Sequence, residues 1–190
     1  LCPDGAVMKS SAANPKFRKH KGPAIVFDSP EEMAEKLDDP NLDVTENSIL
    51  VLRNSGPVGA PGMPEWGNLP IPKKLLQNGV KDMVRISDSR MSGTHYGSCI
   101  LHVAPESAIG GPLAFLKTGD IIELDIDAGT LNMLVPEDVL NARKQEWKPT
   151  YLKYERSYAA LYQQHVTQAN LGCDFDFLEG NKKTPEPGIY

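Results

Sequence analysis

The sequence lacks a disulfide framework, a membrane span and a basic surface, and each absence closes off a class of function. Its three cysteines, Cys2, Cys99 and Cys173, are odd in number and widely separated, with no CxxC pair. That pattern fits free thiols in a reducing compartment, the cytoplasm or an organelle matrix. It fits neither a zinc site nor an iron–sulfur cluster carried by this chain. No apolar run approaches the roughly 20 residues that a membrane helix requires. The formal net charge is −5, and the densest basic stretch, KFRKHK at residues 16–21, is short and reads as a solvated loop. A surface for nucleic acid or anionic lipid is therefore not expected. The opening LCPDGAV has no initiator Met and no signal-peptide regions, as expected of a piece of something longer. The phosphate-binding GxGxxG and GK[ST] patterns and the GxSxG nucleophile turn are also missing.

What is present is a single domain's length of chain, 190 residues, punctuated by 16 glycines and 16 prolines. The apolar runs AIVF (24–27) and SILVL (48–52) predict buried strands. Between them, Ser29, Pro30 and Glu32 give the capping signature of a helix running through Leu37. Lys73 to Gln77 reads as a short helix closed by Gly79. Residues 83–86, 99–104 and 121–126 are further strands, the last turning at Gly129 into a hairpin. From Pro136 the pattern becomes helical, first over PEDVLNARKQEW and then over Tyr154 to Gln168. GCDFDFL (172–178) alternates Asp and Phe as an extended docking segment would. These elements predict an α/β domain of mixed strands, barrel-like, with short flanking helices and a C-terminal helical tail. The expected division is a barrel-like domain over 1–145, a helical tail and docking segment over 146–180, and disorder from 181 to 190.

Two loops are too long and too unusual to be plain connectors. The first, SGPVGAPGMPEWGN (55–68), holds one acidic residue, Glu65, between Pro64 and Trp66. That carboxylate suits a hard cation such as Mg²⁺, and equally a solvated surface turn. The second, RISDSRMSGTHYG (85–97), leaves a strand end and gathers Asp88, Arg90, Ser92, Thr94 and His95. By residue chemistry alone, Ser92 is either a turn hydroxyl or a catalytic group. His102, within the strand CILHVA, reads as a packed or edge residue, and Trp66 and Trp147 as core or interface.

Taken in order, PDGAV, GPVGAPGMPEWG, RISDSRMSGTHYG, HVAPESAIGGPLAFLKTGD and IIELDIDAGTLNMLV resemble the C-terminal domain of the iron–sulfur dehydratases. That family includes dihydroxy-acid, 6-phosphogluconate and sugar-acid (aldonate) dehydratases. The resemblance runs from Pro3 to about Val139, and the tail QQHVTQANLGCDFDFL is similar to the sugar-acid branch. It implies a swivelling β-barrel-like α/β domain that closes over an N-terminal domain carrying a [2Fe–2S] cluster. It also implies Glu65 as a Mg²⁺ ligand and Ser92 as the base that removes the C2 proton. Gly93, Thr94, His95 and His165 become substrate contacts. The implied partners are the N-terminal domain, a small sugar acid and other subunits of a homodimer or homotetramer. The implied reaction is dehydration of an aldonate to a 2-keto-3-deoxy acid. SDSRMSG replaces the TDGRFSG of branched-chain dihydroxy-acid dehydratases, which remain the alternative, as does a non-catalytic interaction module for the isolated chain.

Overall fold

A computed structural model describes residues 1–93 and 96–178. The predicted disorder at 181–190 therefore lies outside the described residues. One seven-stranded sheet organises the domain, in the order β1-β5-β4-β3-β2-β6-β7. Its centre is parallel: β2 (Lys19–Phe27), β3 (Ile49–Leu52), β4 (Arg85–Ser87) and β5 (Cys99–Ala104). Antiparallel strands finish both edges, β1 (Gly5–Met8) on β5, and the hairpin of β6 (Ile121–Asp125) and β7 (Thr130–Met133) on β2. Leu1 N donates to Leu131 O at 2.7 Å, so the chain before β1 reaches across to β7 and the sheet curls into a half-barrel.

The run of four apolar residues in β3 is buried on both faces, as a central parallel strand requires. Alternate residues serve two cores. Ala24, Ile49, Val51, Ile86 and Ile100 fill the concave interior with Leu113, Ile122, Leu124 and Leu131, all buried. Ile25, Phe27, Leu50 and Leu52 face outward under α1 (Pro30–Lys36) and α2 (Lys73–Gln77), packing on Met33, Leu37 and Leu75. The α1 cap forms as its sequence predicts: Ser29 Oγ accepts from Glu32 N at 3.1 Å, and Glu32 Oε2 accepts from Asp28 N at 2.6 Å.

Two local readings are corrected. KFRKHK is not a loop: Pro15–Phe17 is a 3-10 turn with Phe17 buried, and Lys19–Lys21 begin β2 in register with Glu123–Asp125. Carboxylates on the neighbouring strand, such as Asp125 at 2.9 Å from Lys19, let these lysines pair within a sheet. GCDFDFL is not extended throughout. Phe175 bridges to Val166, and Asp176–Leu178 then turns, bringing Phe175 and Phe177 into a stack at 5.2 Å.

The helical part comprises α3 (Glu137–Glu146) and α4 (Ser157–His165). Arg143 bonds Asp120 (3.0 Å) and the Phe115 carbonyl (2.8 Å), while Trp147 meets the Phe115 ring edge-on at 6.2 Å. Among the described residues, no helix is long and apolar enough to cross a membrane.

Candidate functional site

The two suspect loops, with a third, leave the carboxyl ends of three neighbouring strands, β3, β4 and β5, where parallel α/β sheets place their ligands. Asp88, fully buried just past β4, binds all three together. Its Oδ1 accepts from Ser55 N (3.0 Å) in the β3 loop. Its Oδ2 accepts from Ser107 N (2.9 Å) and Ser107 Oγ (2.6 Å) in the β5 loop. Burial pushes the Asp88 carboxyl above the usual range, and these donors oppose that rise.

Glu65 and the Ser92 turn meet through Arg90. The guanidinium lies 3.2 Å from the Glu65 carboxylate, and its Nε donates to the Met63 carbonyl at 2.8 Å. In return, Gly67 N donates to the Arg90 carbonyl at 2.7 Å. A Cβ at Gly67 would fall 2.7 Å from that carbonyl oxygen and 2.6 Å from Leu101 Cδ2, so only glycine lets the loops approach this closely. Glu65 keeps about half its side chain exposed, with one oxygen toward Arg90.

The far end of the Ser92 loop is fixed by a buried ion pair. Asp82 accepts from Arg85 Nη2 (3.1 Å), Ser98 N (3.0 Å) and Ser98 Oγ (2.7 Å). Arg85 also donates to the Leu69 carbonyl (2.9 Å) and the Tyr96 carbonyl (3.2 Å). Gly97 has φ +107°, and a Cβ there would sit 2.0 Å from Arg85 Nη2. At the turn itself, Lys9 Nζ donates to the Gly93 carbonyl at 3.0 Å.

Glu106, in the β5 loop, ties the tail to the site. Its carboxylate accepts from Val58 N (2.8 Å), Gly59 N (2.9 Å) and Gln168 Nε2 (2.7 Å), and Gln168 Oε1 accepts from Glu106 N at 2.8 Å. Gln163 Nε2 adds a bond to the Val58 carbonyl at 3.0 Å. Complete burial of Glu106 pushes its carboxyl up to about 7.

Beside Arg90 lies a cleft of about 420 Å³, lined by Met63, Arg90, His102, Tyr162 and Cys173 among others. His102 lies half-buried within β5, in keeping with a packed strand residue, but its backbone is unusual. Its φ is +53°, and here β5 bulges against β1, since Gly5 pairs with Ala104 but Val7 with Leu101. A bulge re-aims a side chain, and this one turns the half-buried imidazole toward the cleft. Burial, and then Arg90, hold His102 below the usual histidine range, so it stays neutral. Nothing in CILHVA signals this; the left-handed residue could only be suspected from the difficulty of pairing six strand residues against four.

The structure thus brings Glu65, Ser92 and Gly93 onto neighbouring loops. Thr94 and His95 lie outside the described residues. His165, at the end of α4, is engaged within the tail: its Nδ1 is 2.9 Å from Asp176 Oδ1 and its ring meets Phe177 at 5.2 Å. The cysteines stay apart, Cys99 buried in β5 and Cys173 with its Sγ 3.2 Å from Met63 Sδ. Among the described residues, no group of three or more His, Cys, Asp or Glu is arranged to hold a metal. Sequence reasoning missed Arg90 as the link between loops, Glu106 and Gln168 as the tail clasp, and Lys9. All act through contacts between residues distant in sequence.

Known proteins share this sequence closely. A family model for the dihydroxy-acid/6-phosphogluconate dehydratase C-terminal domain matches residues 1–173. The chain is 67% identical to the 6-deoxy-6-sulfo-D-gluconate dehydratase of Pseudomonas putida, over all of its own length and 33% of that protein's. It is 50% identical to the L-arabinonate dehydratase of Rhizobium leguminosarum bv. trifolii (strain WSM2304), over 95% of this chain and 31% of that protein. A dihydroxy-acid dehydratase of Methanoregula boonei is 44% identical over 91% of this chain and 30% of its own. The chain therefore spans about a third of the length of the curated relatives it matches.

Proposed function

The chain belongs to the dihydroxy-acid/6-phosphogluconate dehydratase family as its C-terminal domain, and on that premise we propose that it forms half the active site of a hydro-lyase dehydrating a sugar acid. The observation that carries the reading is the lock between the Glu65 loop and the Ser92 turn, made through Arg90 at the ends of adjacent parallel strands. The substrate is an aldonate, and the product a 2-keto-3-deoxy acid. The relative that acts on a 6-sulfo-gluconate extends the candidates to aldonates with an anionic sixth position.

Glu65 fits one ligand position for Mg²⁺. It is a hard oxygen donor, half exposed, and its backbone is held by a bond from Trp66 N to the Pro64 carbonyl at 2.8 Å. One carboxylate is what a domain would contribute to an ion that keeps waters and takes substrate oxygens. When bound, the ion supplies Lewis acidity at the substrate's carboxylate end, acidifying the C2–H bond. The three cysteines of this chain do not fit a [2Fe–2S] cluster, being buried in a strand, spent on Met63 or remote. Cluster ligands are assigned to the N-terminal part of the parent enzyme.

Ser92 is the base. Its oxyanion takes the C2 proton, the C2–C3 double bond forms, and the C3 hydroxyl departs and is protonated to water. The enol then loses its C2 hydroxyl proton and gains one at C3, giving the ketone. Gly93 offers an unobstructed approach, since among the described residues nothing lies within 4 Å of where its Cβ would be. Thr94, His95 and His165 are assigned to the substrate's hydroxyls. The site is composite, so the 190-residue chain alone is expected to be inactive, and the working enzyme a homodimer or homotetramer of longer chains.

The test uses the full-length enzyme. A panel of 6-sulfo-gluconate, arabinonate, xylonate and 2,3-dihydroxyisovalerate should show turnover of a sugar acid, and preference for the last would return the protein to the branched-chain reading. Ser92→Ala should lower kcat by a factor on the order of 10³ or more with cluster absorbance unchanged. Near-normal turnover by that variant would remove Ser92 as base.

A further inference from the structure

A serine hydroxyl is too weak an acid to ionise near neutrality unless its surroundings favour the charged form. The Ser92 turn is held from outside its own loop, by the segment that follows β1. After Met8 the chain makes a 3-10 turn (Ser10–Ala12) and runs along the 88–98 loop. Gly97 N donates to the Ala12 carbonyl at 3.0 Å, and Asn14 N donates to Ser98 Oγ at 3.2 Å. Those two ties fix the distal end of the loop. The third reaches the turn: Lys9 Nζ donates to the Gly93 carbonyl, one residue from Ser92, at 3.0 Å. Pairing of Met8 with Ile100 sets where Lys9 leaves the sheet.

Taking Ser92 as the base, we propose that Lys9 is a positioning residue that holds the Ser92–Gly93 turn and supplies the positive charge favouring the serine oxyanion. Its bond to the Gly93 carbonyl places the Lys9 side chain beside the turn as a charge, not as a second base. Among the described residues, the charged groups flanking the turn in its own loop are already committed. Arg90 faces Glu65 and the Met63 carbonyl, and Asp88 is buried beneath the loop against Ser55 and Ser107. Ser92 loses its proton to solvent, accepts the C2 proton of the substrate, and returns that proton to solvent before the next turnover.

The experiment measures kcat/KM against pH for full-length wild type, Lys9→Met, Lys9→Arg and Ser92→Ala. In Lys9→Met the rising limb should move up by about one pH unit, with kcat about tenfold lower at neutral pH. Lys9→Arg should restore the limb and most of kcat. Unfolding midpoints of all variants report whether the turn is merely loosened. A fall in kcat with an unmoved limb, or no change in either, overturns the inference. Substantial turnover by Ser92→Ala would instead overturn the base assignment on which it rests, so the two failures are separable.

Discussion

Replacing Glu106 by Gln should change how the domain's stability depends on pH. In the unfolded chain the carboxyl titrates near 4.5; in the fold it is pushed up to about 7 by complete burial. The native state therefore binds the proton more tightly than the unfolded state between those values, and stability falls as pH rises through that window. A separation from 4.5 to about 7 corresponds to about 3–4 kcal/mol, at roughly 1.4 kcal/mol per pH unit. The loss is complete above the folded value. Glutamine cannot ionise, so this slope should vanish. It carries a different cost, because an amide offers one acceptor oxygen where the carboxylate takes Val58 N, Gly59 N and Gln168 Nε2. Leaving one buried donor unmatched costs about 1–3 kcal/mol at any pH. The two stability curves should therefore converge with rising pH: Glu106→Gln is less stable near pH 5, and close to or above wild type near pH 8. Urea unfolding of the 190-residue chain from about pH 5 to pH 8 measures this directly. The difference between variant and wild type removes the contribution of Asp88, which is raised by burial and has the same sign. Parallel curves would refute the claim that the clasp residue is ionised at the expense of the fold.

Ser29→Ala should lower stability by about 1 kcal/mol, because Ser29 Oγ is the acceptor for Glu32 N at the start of α1; thermal unfolding of the chain measures it. Gly67→Ala should leave both hydrophobic cores intact but force the Glu65 loop off the Arg90 carbonyl, where the new Cβ would sit at 2.7 Å. In the full-length enzyme that variant should keep a near-native far-ultraviolet spectrum and lose most of kcat; retained activity would show that the two loops need not be locked.

The centre of this fold was legible because each buried strand announces itself. AIVF and SILVL became parallel neighbours with residues Ala24–Phe27 opposite Ile49–Leu52, and the Ser29 cap formed where the sequence placed it. The basic run at 16–21 misled, because so dense a set of lysine, arginine and histidine suggests solvent, whereas β6 supplies carboxylates opposite them. At the site, Glu65 and Ser92 stood out by loop chemistry, yet residue physics left both undecided, and the ordered motifs supplied the family. What held them together was not legible. Lys9 bonds a residue 84 positions away, Arg90 one 27 away, and Glu106 and Gln168 bond across 62. No local pattern encodes such a partner. His102 sits in β5 as a half-buried strand residue, as its surroundings suggested, but its left-handed backbone, which comes from the mismatch between β5 and β1, was not legible.

The strand order also says how this domain must assemble in time. β1 pairs with β5 and β2 pairs with β6, so each of the first two strands waits for a partner far along the chain. Loop closure over such distances is slow, and parallel pairs cannot be shortened into hairpins. During synthesis, β2 and β3 are made long before β6 pairs with Lys19–Pro23, so that half of β2 stays an open edge in the nascent chain, guarded by its lysines and proline. The hairpin of β6 and β7 is local, forms quickly once made, and is therefore the piece whose arrival commits the sheet.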